Sequence, residues 1–207
     1  MNHLDVLGDL LGRRNNDDKW YGVVVGVVTN NKDPDNMHRV KVRFPWLNQN
    51  DESNWARVLA PMAGNGRGAY FLPEVDDEVL VAFEHGSIEH PYVIGSLWSG
   101  KDKAHEDNSD GANNNRSIKS RSGHVIRLCD SSGSESIEII DKTSNNKIVI
   151  DSSGNKISIK ATGDIEISSS TGKITLSAIG IELKSQANVD ISANAQVNVK
   201  GAMVNIN

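Results

Sequence analysis

Apolar residues in this chain recur at a period of two along most of its length, which is the spacing of strands with one buried face. Residues 39–44, RVKVRF, alternate strictly, with Val40, Val42 and Phe44 on one side and Arg39, Lys41 and Arg43 on the other. Residues 21–29 (YGVVVGVVT), 54–60 (NWARVLA), 79–83 (VLVAF) and 92–97 (YVIGSL) read as four more strands. Gly26 inside the first suggests a bend or bulge, and Asp33-Pro34-Asp35-Asn36 is a turn. Five short strands in about eighty residues, separated by turn residues, predict a small Greek-key barrel of the OB type. The start of the chain differs: Leu4, Leu7, Leu10 and Leu11 fall at helical spacing. A short amphipathic helix over 2–14 follows, with Arg13 and Arg14 suiting its C-terminal end. So short a helix needs a partner surface.

The last third of the chain is a repeat. Apolar pairs at i and i+2 recur at Ile148/Ile150, Ile157/Ile159, Ile165/Ile167, Ile174/Leu176, Ile181/Leu183, Val189/Ile191, Val197/Val199 and Val204/Ile206, their first members 9, 8, 9, 7, 8, 8 and 7 residues apart. Less regular pairs precede them at Ile126/Leu128 and Ile137/Ile139. From the second regular pair onward the enclosed residue is polar: Ser158, Glu166, Thr175, Glu182, Asp190, Asn198 and Asn205. Two inward residues per strand make no core alone. Three such strands closed into a triangle do, either as one chain coiling on itself or as three chains intertwined. About ten strands would give a lone chain only some three coils with open ends. Intertwining hides far more backbone and gives a rod on the order of 50 Å long at the inter-strand spacing.

Composition separates the two patterns. All aromatic residues lie between Trp20 and Trp98 and all prolines between Pro34 and Pro91. A stack of paired strands excludes proline and favours slim β-branched side chains. The polar run 101–115, KDKAHEDNSDGANNN, reads as a connector too poor in apolar residues to fold alone. The expected division is a helix or arm over 1–19, a barrel over 20–100, a linker over 101–123 and a rod over 124–207. The fold class is therefore all-β: an OB-fold barrel, then a C-terminal triple-stranded intertwined β-helix, with a short N-terminal α-helix.

Charge and chemistry narrow the function classes. The formal net charge is −5, and residues 1–100 hold 9 Lys+Arg against 14 Asp+Glu. Neither half is basic, so no phosphate-binding surface is indicated. One cysteine, Cys129, excludes an internal disulfide and a cysteine-rich zinc site. The start of the chain lacks the marks of a secretory signal, so folding in the cytoplasm is expected. Glu84, His85, Glu89 and His90 form the most site-like cluster, but with no third His or Cys nearby in sequence they read as a loop at a subunit contact rather than a metal site. Trp46, Trp55, Tyr70 and Phe71 are stacking candidates for a single-stranded nucleic acid on an OB barrel. The acidic balance favours their filling the barrel and its contacts instead. Cys129 with His124 nearby suggests a nucleophile only weakly against ordinary packing. Asp76, Asp77 and Glu78 read as a turn before a strand. No catalytic residue, cofactor or metal site is expected.

Residues 73–100, PEVDDEVLVAFEHGSIEHPYVIGSLWSG, resemble the signature of the VgrG and phage baseplate-assembly-protein-V spike family. The motif residues are Phe83, Glu84, His85 and Gly86, then Pro91, Val93, Ile94, Gly95, Ser96 and Leu97. The runs RVKVRFPW at 39–46, WARV at 55–58 and GAYFLP at 68–73 are similar to the same family's preceding stretches. The resemblance implies a homotrimeric, non-enzymatic spike seated by its barrel on a hub protein at the inner-tube end of a contractile injection machine. Its β-helical needle would pierce the target envelope. The N-terminal helix would dock on the hub. Some members end in an iron-binding His-x-His tip; no histidine follows His124 here, so that site is not carried over. The end at Val204, Asn205, Ile206 and Asn207 would instead meet a separate PAAR-type tip protein. The short connector leaves no room for the lysozyme or effector domains of other members. The competing classes are a receptor- or glycan-binding tail fibre, disfavoured by the lack of aromatics in the second half, and an OB-fold nucleic-acid module. The host machine stays open among phage tail, tailocin, extracellular injection particle and type VI apparatus.

Overall fold

A computed structural model describes residues 19–47 and 51–206. The helix expected over 2–14 lies outside them. The first half forms strands β1 (Val23–Asn30), β2 (Lys41–Arg43), β3 (Arg57–Val58), β4 (Ala63–Gly64), β5 (Arg67–Gly68), β6 (Glu78–Phe83) and β7 (Pro91–Ser96). The larger sheet runs β2-β1-β6-β7-β3, antiparallel except for the parallel β3–β7 pair. The segment before β3 then returns to β2. Val40 and Ala56 exchange backbone hydrogen bonds of 3.0 and 2.7 Å, and Ser53 N donates to the Val42 carbonyl at 2.8 Å. The sheet thus curls on itself into a small closed barrel, as the alternation predicts.

Its core is the set of inward positions: Val28, Val40, Val42, Phe44, Ala56, Val79, Val81, Phe83 and Val93. Each fully buried side chain of this kind contributes about 1.5–3 kcal/mol. Gly26 is also inward, but its pairing with Val79 is unbroken, so it marks no bulge. A Cβ there would collide with Val42 Cγ1 and lie 3.3 Å from both Phe44 Cε1 and the Arg43 carbonyl. The glycine makes room for β2. The extra residues fall elsewhere: Thr29 between the Val28–Val42 and Asn30–Lys41 pairs, and Ile94 between the Gly95–Leu80 and Val93–Val81 pairs.

The turn at 33–36 is organised by Asp33, a buried carboxylate. It accepts hydrogen bonds from the backbone N–H groups of Asp35, Met37 and Arg39, and from Arg39 Nε and Nη2, both at 2.8 Å. The Arg39 side chain, opposed by desolvation and aided by the backbone donors, holds Asp33 far below the usual carboxylate range. A small β4–β5 hairpin, turned at Asn65-Gly66, fills the connection between β3 and β6.

The second half begins with a five-stranded antiparallel meander: β8 (Asn115–Lys119), β9 (Val125–Cys129), β10 (Ser136–Ile140), β11 (Lys147–Asp151) and β12 (Lys156–Lys160), hydrogen-bonded in chain order. β8 lies inside the segment read as linker, and the linker itself is ordered by its own side chains. Asp107 accepts from Ser109 N, Asp110 from Ala112 N, and Asn108 Oδ1 from Asn113 N. Residues 161–206 form no strand, and 162–206 are exposed throughout. The chain does not coil into a β-helix on its own.

Candidate assembly interface

In the meander each residue faces its directly paired neighbour on the same side of the sheet. Registers therefore build continuous rows. One row is Arg116, Leu128, Ile137, Ile150 and Ile157; the next is Ile118, Ile126, Ile139, Ile148 and Ile159. Nine of these ten side chains are aliphatic, and all nine are substantially exposed, from 39% at Ile150 to 70% at Ile157. The second row lines a groove of about 570 Å³, to which Ile165 also contributes. Contiguous apolar faces of this kind mark interaction surfaces.

Downstream the exposure continues. Ile165, Ile167, Ile174, Leu176, Ile181, Leu183, Val189, Ile191, Val197, Val199, Val204 and Ile206 are all 49% or more accessible. Of the tip residues, Val204, Asn205 and Ile206 are exposed, and Asn207 lies outside the described residues. The accessible surface of the chain is 17397 Å². A compactly folded chain of 22.5 kDa is expected to expose roughly 9,500 Å². The two apolar rows and the tail from residue 162 onward are among the exposed parts.

The opposite face of the meander is polar and partly covered. Arg127 donates to Glu106 (3.1 Å) and to Glu138 (3.4 Å). Glu106, from the connector, also accepts from the Ser117 hydroxyl at 2.7 Å and from Asn115 Nδ2 at 3.0 Å. The Ser117 hydrogen bond is the main cause holding the Glu106 carboxyl below its ordinary value; partial burial opposes it, and Arg127 adds to it.

The motif residues serve the barrel. Phe83 ends β6 in the core and Pro91 opens β7, the position in a strand where proline costs no ladder bond. Glu84–Gly86 is a single 3-10 turn with His85 at φ 48° and Gly86 at φ +77°. A side chain at Gly86 would be strained and would lie 3.2 Å from Lys19 Cβ. The turn pins the chain entering the barrel: Trp20 N donates to the Gly86 carbonyl (2.8 Å) and Lys19 Nζ to the His85 carbonyl (3.2 Å). Glu84 accepts from the Tyr92 hydroxyl, His90 Nδ1 lies 3.3 Å from Ser87 Oγ, and Val93 is buried. Leu97 N donates to the Glu78 carbonyl, while Ile94, Gly95 and Ser96 face outward. Among the described residues no group of three His, Cys, Asp or Glu side chains converges as a metal cage.

The aromatic candidates do not fill the barrel, contrary to the expectation from sequence. Tyr70 and Phe71 are two-thirds exposed. Trp46, 41% exposed, lies between Trp20 (4.6 Å between centroids) and Phe44 (5.9 Å). Trp55 lies under Arg39 and Lys41 at 5.9 and 5.7 Å. The buried core is made of valines, Ala56 and two phenylalanines. Cys129 and His124 do not meet: β9 runs between them, roughly 16 Å at strand rise. Asp77 accepts from Glu74 N, and Asp76 sits at φ 75°, so 74–77 is a turn. The hydrogen-bonding roles of Asp33 and Glu106 were not read from sequence. Their signals were the D-P-D-N turn with Arg39 downstream, and a single Glu in a connector of small polar residues.

Residues 24–98 match the Type VI secretion system/phage-baseplate injector OB domain. The chain is 38% identical over 68 residues to the type VI secretion system spike protein VgrG3 of Vibrio cholerae, covering 31% of this chain and 7% of the relative. It is 29% identical over 140 residues to the spike protein VgrG1a of Pseudomonas aeruginosa, covering 61% of this chain and 22% of that protein. Over 68 residues it is 35% identical to the actin cross-linking toxin VgrG1 of Vibrio cholerae, of which the match spans 6%. The chain thus corresponds to a small part of these relatives' length. The closed barrel and the motif that pins its entry thus form an OB domain of the type VI secretion system/phage-baseplate injector kind, and over this part the chain is similar to VgrG spike proteins.

Proposed function

We propose that the chain is the central spike of the baseplate of a contractile injection machine, a homotrimer without enzymatic activity of its own. The observation that carries this reading is an injector OB domain followed by two contiguous apolar rows and a long extended tail with the same i, i+2 spacing. The excess exposed area supports a permanent oligomer. Obligate interfaces bury 2,000–5,000 Å² or more, and the excess of roughly 8,000 Å² over a compact chain exceeds that range. Three chains braiding Ile148, Ile150, Ile157, Ile159 and the later pairs into a dry axis would form a thin rod. No strand of it could peel away without breaking ladder bonds to two others, and its resistance to force would be a matter of unfolding rate.

In this reading residues 1–19 and the barrel seat the trimer on a hub protein at the inner-tube end, residues 124–207 are the needle, and 204–207 meet a PAAR-type tip. The particle assembles in the cytoplasm and is driven into a target envelope on firing. The host machine is a phage tail, a tailocin, an extracellular injection system or a type VI apparatus. Mass in solution together with resistance to SDS without boiling tests the core of the reading. A trimer that survives SDS is expected; a stable folded monomer at micromolar concentration refutes it. Capture of a single-stranded oligonucleotide at low salt would instead favour the nucleic-acid alternative.

A further inference from the structure

The connector between barrel and meander is the feature that the proposed function leaves unused. A flexible chain of about fifteen residues has an end-to-end distance near 20 Å and transmits no thrust. Here it is held at both ends and in the middle. Ser99 caps its start, its hydroxyl accepting from Lys101 N (3.2 Å) and Asp102 N (3.0 Å) while its own N–H donates to the Asp102 carbonyl. Turns at Asp107, Asn108 and Asp110 fold its centre, with Gly111 and Asn113 at positive φ. From 101 to 113, Glu106 alone is not exposed.

Glu106 reaches the polar face of the meander, where it bridges β8 through Asn115 and Ser117 and β9 through Arg127. His105 Nε2 adds a contact to Ser117 Oγ at 2.8 Å. Arg127 also holds Glu138 of β10, so one guanidinium ties the connector to a third strand. A second tie runs from the β8–β9 turn back to the barrel, where Arg121 donates to Glu74 at 2.9 Å. That exposed pair orients rather than stabilises.

We propose that residues 99–114 are a fixed strut, bolted to the meander by Glu106, that makes the barrel and the first strands of the second half move as one body. The carboxylate is the right group for the bolt. Three donors, Asn115 Nδ2, the Ser117 hydroxyl and Arg127 Nε, converge on its two oxygens, an arrangement that suits the ionised form, and the charged hydrogen bond to Arg127 is roughly twice as strong as a neutral one. The strut also covers the polar face, so that the apolar rows are the face left open. The inference does not depend on oligomeric state, because every contact in it lies within one chain.

Hydrogen exchange on the full-length protein tests it, read by mass on peptides spanning 102–113, with β6 and β10 peptides as internal references. Wild type should protect the amides of Gly111, Ala112 and Asn113. Glu106→Ala should speed their exchange at least tenfold and speed trypsin cleavage after Lys103, with β6 and β10 unchanged. Glu106→Gln, which keeps an acceptor oxygen but loses the charge, should fall between, at about threefold or more. If Glu106→Ala also exposes β10, the Gln variant decides alone. Connector amides that exchange at the rate of an unstructured peptide in wild type, or equally in wild type and Glu106→Gln, overturn the strut.

Discussion

Replacing Ile139 by alanine separates a covered apolar face from an exposed one. Ile139 sits on β10, the central strand of the meander, directly opposite Ile126 and Ile148, and is 50% exposed in the single chain. The change removes three carbons. At about 0.8 kcal/mol per buried carbon, half burial predicts a loss near 1.2 kcal/mol if nothing covers the face. If the face is the inside of a trimer, the side chain is fully enclosed and the loss rises to about 2–5 kcal/mol per chain with its cavity, hence about 6–15 kcal/mol per assembled trimer. The assay is the temperature at which the SDS-resistant species disappears, together with sedimentation at a series of concentrations. Val149→Ala, on the opposite face, serves as the control. A strongly lowered transition for Ile139→Ala with a small one for the control is expected. Equal small effects for both would refute the argument that the aliphatic rows are an interior.

Gly26→Ala should destabilise the barrel by about 1–3 kcal/mol, because the added methyl must displace Val42 from a packed position; chemical denaturation followed by fluorescence of the barrel tryptophans would show it. Gly86→Ala should loosen the entry turn, through both its positive φ and its contact with Lys19, and accelerate exchange of the Trp20 amide. Asp33 has its pKa held below its unfolded value, so its contribution is complete above the ordinary aspartate range and is lost as pH falls below about 4 toward the folded value. Asp33→Asn should therefore be less stable than wild type at neutral pH, and the gap should narrow as pH falls through that window in acid titration of the unfolding midpoint. Ile167→Asp should prevent trimer formation by placing three unpaired charges in one dry layer; normal trimer yield on size exclusion would count against its inward placement.

Strict alternation is what made the barrel legible. Val40, Val42 and Phe44 were placed on one face from sequence and are buried together, and the same alternation in the strand at 79–83 buries Val79, Val81 and Phe83 with them. The closure was less readable, since β3 has two residues and is completed by isolated bridges. The β4–β5 hairpin was missed although Asn65-Gly66 is a strong hairpin dipeptide; its flanks, Ala63-Gly64 and Arg67-Gly68, carry no alternating apolar residues to advertise a strand. Gly26 was assigned to a bend because a lone glycine in a strand has two readings, local shape and lack of space, and only the neighbouring strand distinguishes them. The same limit applied to Tyr70, Phe71 and Trp46: aromatic content indicates large surface to cover without indicating which surface. In the second half the period-two pairs fixed which residues share a face. The antiparallel meander over 115–160 and the polar network at Glu106 depend on register and on a turn-rich connector, which composition alone made look unstructured.

The unpaired stretch after Lys160 has a consequence for how the molecule is made. A ribosome releases the barrel and meander first, and every strand pairing in them lies within residues 19–160, so both can form on a nascent chain. The remaining segment finds no partner in cis. If it braids with sister chains as proposed, its maturation is of higher kinetic order: the rate depends on how many sister polypeptides are nearby, and a chain that meets none keeps its apolar positions exposed. Production from clustered ribosomes on one transcript would favour the productive encounter over that outcome.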